Sequence, residues 1–157
     1  IMTLQDFLAA YRKRCRLLIE VKNRDWEPVS RHELKIRQTL DLIGQNPEQR
    51  IMVSSFNLAS LVYAHQYKPA SPLIYNFETH QTIADSRQLF NTHAFLYGFC
   101  LPIETLDRTI VDVLRDHGKC VAVYTCNSDT EIHKALQLSV DILISDLPHK
   151  ALMLRDQ

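Results

Sequence analysis

Leu17-Leu18-Ile19-Glu20-Val21-Lys22 is the stretch from which the fold of this chain is read. It is an apolar run of strand length, bounded by polar sequence, with two charges placed two residues apart. Upstream, Leu4, Phe7, Leu8 and Tyr11 recur at helical spacing, with Thr3 as the N-cap. Downstream, Ser30 and Glu33 have the spacing of a capping box. The helix they open carries Leu34, Leu40, Leu42 and Ile43 and stops near Gly44. The alternation continues to the end of the chain. Strands are predicted over 50–56, 72–77, 95–101, 120–126 and 141–145, and helices over 58–67, 79–89 and 102–117. Pro102 suits the first turn of the last of these helices, and Gly118 lies just past its end. Ser128 and Glu131 repeat the capping-box spacing, and Pro148 opens a final helix.

Strands alternating with helices predict an α/β fold of parallel strands with helices packed outside. The 157 residues suit a single domain, and an apolar fraction of 46% can build its core. A full β/α barrel takes about 250 residues. A barrel of this length therefore lacks strands or receives them from another chain. No Gly-x-Gly-x-x-Gly or Walker loop is present, so a nucleotide fold lacks its usual signature.

Lys plus Arg and Asp plus Glu balance at 18 each, so no strong field attracts nucleic acid or an anionic membrane. The basic run Arg12-Lys13-Arg14 with Arg16 reads as a solvated helix face. Cys15, Cys100, Cys120 and Cys126 show no Cys-x-x-Cys spacing. Cys120 and Cys126 lie in or beside an apolar run and are expected as buried free thiols, which points to a reducing cytoplasm. No run of 18 apolar residues exists, so no membrane span is expected, and no signal-peptide order is seen at the start. Ile1 ahead of Met2 suggests an extra residue before a start codon, or a cut inside a longer protein.

Glu20 and Lys22 share one face of the first strand. Burying both costs several kcal/mol each unless they are paired or meet a ligand. Two readings stay open on spacing alone. One is a structural ion pair at a strand end. The other is a carboxylate for a divalent cation beside an ammonium for a phosphate oxygen, at the barrel mouth where active sites form.

Four segments carry a resemblance. Ile19-Glu20-Val21-Lys22 is similar to the Glu-x-Lys strand of the glycerophosphodiester phosphodiesterases. Met52-Val53-Ser54-Ser55-Phe56-Asn57 resembles that family's Ser-Phe strand. His117-Gly118 followed by Val121 to Asn127 resembles its helix-end Gly and aromatic-Thr-x-Asn strand. Val140 to Pro148 resembles its closing Thr-Asp-x-Pro strand, with Ser145 in place of Thr and Ser139 where Gly is common. The resemblance implies part of a TIM-type β/α barrel, its C-terminal portion. It also implies hydrolysis of glycerophosphodiesters to an alcohol and glycerol 3-phosphate, in lipid metabolism, by two histidines and a divalent cation. Glu20 then maps to a metal ligand and Lys22 to a phosphate contact, while Phe56 and Tyr124 wall the glycerol pocket. Trp26 follows the Glu-x-Lys strand and either lines the mouth or anchors a loop.

The family's opening His-Arg-Gly strand, its Glu-x-Asp metal strand and its His-Asp strand have no counterpart here. Both catalytic histidines, the phosphate arginine and two of three metal carboxylates belong to those strands. His80 and His149 follow strands and could face the catalytic side, whereas His32, His65, His117 and His133 fall in helices and are expected to face solvent. Glu20 alone would hold Ca²⁺ or Mg²⁺ weakly, with a substrate phosphate completing the shell. Each missing proton transfer forfeits about 10²–10⁴-fold, so the chain is expected to be a poor catalyst as it stands. Three functional readings follow: a phosphodiesterase whose N-terminal strands lie outside this sequence, a non-catalytic remnant that binds a phosphate compound or a protein, or a different phosphate-binding barrel. A barrel short of its first strands exposes two strand edges. A homo-oligomer or the absent N-terminal segment is expected to cover them, with residues 3–14 as the nearest local cover.

Overall fold

Apolar strand runs and amphipathic helices alternate along the chain, in two compact units of residues 1–75 and 76–157. The computed structural model describes residues 1–46, 48, 50–81, 89 and 92–156. The first unit holds α1 (Leu4–Tyr11), β1 (Leu17–Glu20), α2 (Val29–Ile43), β2 (Ile51–Ser55), α3 (Leu58–Tyr67) and β3 (Leu73–Asn76), whose last residue opens the second unit. The second holds β4 (Gly98–Pro102), α4 (Arg108–Asp116), β5 (Cys120–Tyr124), α5 (Asp129–Gln137), β6 (Ile142–Leu143) and α6 (Pro148–Arg155). In the first unit β1 pairs with β2 and β2 with β3, all parallel. In the second β4 pairs with β5 and β5 with β6, again parallel. This α/β pattern is that of a partial TIM-type barrel. The helix predicted over 79–89 falls mostly outside the described residues; Thr79 and His80 form a turn.

A strand covered on both faces is apolar throughout. Every residue of β2 and of β4 is buried. The edge strands differ. Leu18 and Ile19 on β1 and both residues of β6 are only half-buried. The fully buried side chains include Ile36, Leu40, Leu61 and Leu73 in the first unit and Phe99, Leu114 and Ile132 in the second. Each such side chain contributes about 1.5–3 kcal/mol, against about 0–1 kcal/mol for an exposed ion pair, so packing rather than charge holds the fold.

Local signals were realised where nothing competed with them. Thr3 accepts from the Asp6 N–H at 3.2 Å. Ser128 and Glu131 close a complete capping box. Gly44 and Gly118 end α2 and α4 with positive φ. Ser30 and Glu33 form no box. Pro28, fixed at φ −68°, takes the N-cap place, and its carbonyl accepts from Arg31 N–H at 2.8 Å, so α2 starts two residues earlier than the pattern implied. Pro102 does not open a helix either. It is the last residue of β4, and Asp107 caps α4 by accepting from Ile110 N–H at 2.9 Å. His32 is buried rather than facing solvent, because it shares the face of α2 that carries Ile36, Leu40 and Ile43. Cys126 is buried, Cys120 is half-buried, and all four thiols are free.

Candidate functional site

In the first unit the candidate groups lie at the C-terminal end of β1. The strand ends at Glu20, so Val21 and Lys22 are past it. Val21 N–H still donates to Ser54 O at 2.8 Å, and the Ser55 hydroxyl donates to Val21 O at 2.9 Å. The backbone is therefore held beside β2 while the two charges project outward. Lys22 Nζ lies 3.9 Å from Glu20 Oε1, with side chains 78% and 36% exposed. Neither charge is buried, contrary to what an apolar run suggests, because both lie where the strand leaves the sheet. A long, exposed pair contributes little to stability. It leaves an ammonium and a carboxylate accessible to a ligand.

Two residues missed in the sequence fix this rim. Lys35 on α2 donates to Lys22 O at 3.0 Å and also bonds the Glu27 carboxylate. Glu27 in turn accepts from Arg24 N–H at 3.0 Å. The Lys35 ammonium, then the Arg24 amide, hold the Glu27 carboxyl below its usual range. The signal was available: Glu27 and Lys35 bracket the start of a helix, one just before it and one on its second turn. Phe56 follows β2 and is half-buried. Trp26 sits in a turn and is 79% exposed, so it is no buried loop anchor.

In the second unit Tyr124 ends β5, half-buried, and its hydroxyl donates to Phe77 O. Phe77 packs edge-on against Phe99, with ring centroids 5.8 Å apart. Three residues on, the Asn127 side chain bonds the turn after β6, donating to Asp146 Oδ2 at 2.9 Å and accepting from Asp146 N–H at 3.0 Å. Burial, then the nearby Glu131 and Glu104, push the Cys126 thiol up to about 11, so it is not a nucleophile at neutral pH. His80 and His149 are exposed, in a turn and in α6. Among the described residues no three His, Cys, Asp or Glu side chains gather where they could hold a metal ion. The residues present do not make a complete divalent-cation site, and Glu20 supplies one ligand at most.

A profile of the glycerophosphoryl diester phosphodiesterase family matches residues 1–150. The chain belongs to that family. A curated glycerophosphodiester phosphodiesterase of Bacillus subtilis (strain 168) is 26% identical over 149 residues, which are 93% of this chain and 51% of that protein. The chain thus spans about half the length of this relative. A solved Oleispira antarctica phosphodiesterase, in complex with the product sn-glycerol-3-phosphate, superposes with a TM-score of 0.81 at 22% identity, covering 99% of this chain and 61% of that one. A glycerophosphodiester phosphodiesterase from Parabacteroides distasonis ATCC 8503 gives 0.77 at 19% identity, covering 98% and 63%. The structural likenesses show the fold, and the profile match over residues 1–150 shows the family that the four sequence segments pointed to.

Proposed function

We propose that this phosphodiesterase-family chain serves the hydrolysis of glycerophosphodiesters, releasing an alcohol and glycerol 3-phosphate, in lipid and glycerophosphodiester metabolism. The observation that carries the reading is the family match over residues 1–150, with Glu20 and Lys22 side by side at the exposed end of β1. In this reading Lys22 takes a phosphate oxygen, and Glu20 gives one ligand to Ca²⁺ or Mg²⁺. The remaining ligands come from substrate or from groups outside the described residues. Phe56 and Trp26 are proposed as apolar contacts for the glycerol moiety in the first unit, and Tyr124 is separately proposed as a pocket wall in the second. No acid or base is assigned, because no histidine here stands in the family's catalytic motifs. What supports a cytoplasmic setting is the four free thiols.

The test is an assay of the purified chain with glycerophosphocholine and either cation, alongside calorimetry with glycerol 3-phosphate. Lys22→Ala should weaken phosphate binding and Glu20→Gln should weaken cation binding. Unchanged affinities in both variants would refute the assignment. A second reading, a non-catalytic phosphate- or protein-binding module, is favoured by the want of any three-ligand cluster among the described residues. Robust turnover that is lost in Glu20→Gln would remove it.

Residues 1–157 are read as a single domain, the C-terminal portion of a barrel, whose exposed strand edges need covering. Half-exposed Leu18, Ile19, Ile142 and Leu143 support this, as does α6, which buries no residue and leaves Leu152 and Met153 at 50% and 65% exposed. Within residues 3–14, the local cover for β1, α1 packs on α2, and Arg12 donates to Ile43 O at 2.9 Å and Gln45 O at 3.1 Å. A second copy or a further barrel segment is the other proposed cover. Light scattering at micromolar concentration tests the second copy; a monomer eliminates it.

A further inference from the structure

We propose that Asn127 is a positioning residue that holds Tyr124 in place from the β6 side. The proposal rests on the reading of Tyr124 as a pocket wall and adds what keeps that wall in position. β6 is two residues long and offers a short ladder. Beyond it, Cys126 N–H still donates to Ile144 O at 2.9 Å. There the Asn127 side chain takes over from the ladder. Its Oδ1 accepts from Asp146 N–H at 3.0 Å and from the Ser145 hydroxyl at 3.2 Å, and its Nδ2 donates to Asp146 Oδ2 at 2.9 Å. Only an oxygen can accept from a backbone N–H, so the amide has one orientation, with its NH₂ toward the carboxylate.

The main chain of Asn127 is fixed as well. Its N–H donates to Glu131 Oε2 at 2.9 Å, and its carbonyl accepts from Lys150 Nζ at 3.1 Å. Lys150 is itself tied to Asp129 at 2.6 Å. The segment 124–127 is thus pinned at both ends, at Phe77 O through the Tyr124 hydroxyl and at Asp146 through Asn127. At the first end the Tyr124 carbonyl also accepts from Ile103 N–H at 2.7 Å, on the β4 side, so the Asn127 end is what ties the segment to the β6 side. The donor–acceptor match with Asp146 makes Asn the residue type this place requires. Asp would set one carboxylate against another, and like charges in contact repel.

The experiment follows the Tyr124 ring signal by NMR on ¹³C-tyrosine-labelled chain, with thermal unfolding measured alongside. N127D should shift and broaden the Tyr124 signal. The reversed pair, N127D with D146N, restores a donor facing an acceptor and should return the signal to its original place. Asp146→Ala, which removes the acceptor without adding charge, should shift it the same way by less, and this variant decides the matter if N127D does not fold. Ser128→Ala lowers stability without touching the Asn127 side chain and should leave the signal unmoved. The proposal is overturned if Tyr124 is unmoved by N127D or Asp146→Ala, if Ser128→Ala moves it equally, or if the reversed pair behaves like N127D. Titration with glycerol 3-phosphate separates the two readings. A Tyr124 signal that ignores the ligand, yet still responds to N127D, sinks the pocket wall and leaves the clamp standing.

Discussion

The strand ends of the two units are built differently. At the end of β1, Glu20 and Lys22 stand exposed and 3.9 Å apart, and they contribute little to holding the chain together. At the ends of β5 and β6, Tyr124, Asn127, Asp146, Glu131 and Lys150 spend their polar groups on one another and on backbone. The difference separates groups available to a ligand from groups that fix geometry. A charge left in water stabilises the fold by little and remains free to bind. A side chain with each polar atom bonded stabilises and orders its neighbours, and it reaches a ligand only through them.

The comparison breaks first where the ordered rim rests on the core. Phe99 is fully buried against Phe77, whose carbonyl receives the Tyr124 hydroxyl. Phe99→Ala should cost about 3–5 kcal/mol, read by denaturant unfolding, and should release Tyr124. Gly98→Ala comes next. A Cβ there would stand 2.4 Å from Cys120 O, which is backbone and cannot swing aside. The cost should be about 1–3 kcal/mol, and an unfolding midpoint equal to that of the parent chain would contradict the close approach of β4 to β5.

Smaller substitutions sharpen it. Ser128→Ala should cost about 1 kcal/mol, because its hydroxyl caps α5. Ser30→Ala, at the same Ser-x-x-Glu spacing, should cost no more than a few tenths, because Ser30 caps nothing. Equal losses in the two variants would contradict the difference between the helix starts. Acid should also act on the second rim. Backbone N–H groups of Ser128 and then Asn127 hold the Glu131 carboxyl below its usual value. A depressed carboxyl stabilises the fold fully above its unfolded value, about 4.3, and that contribution is lost as pH falls through the folded value. Parent chain and Glu131→Gln should therefore differ in melting temperature at neutral pH and converge in acid. The smallest effect belongs to the first rim. Lys22→Met should change stability by less than about 1 kcal/mol, while lowering affinity for phosphate ligands by calorimetry.

Features that depend on a few neighbouring residues were legible in the sequence. The Thr3 and Ser128 caps, the stops at Gly44 and Gly118, helix 58–67, and Pro148 at the start of α6 all rest on contacts within about four residues. The parallel α/β pattern follows from the same alternation, and the family from four short segments in order. Tertiary structure decided the rest. Pro28 rather than Ser30 begins α2, Pro102 closes β4, His32 turns inward with Ile36, and Gly98 is needed where β4 meets β5. Asn127 meets Asp146 across 19 residues and Asn23 meets Ser60 across 37. A hydrogen bond between residues that far apart exists only once packing has brought distant segments together. Local pattern could therefore name the residues at the rims, but only the fold decided which are free to bind and which are already bonded.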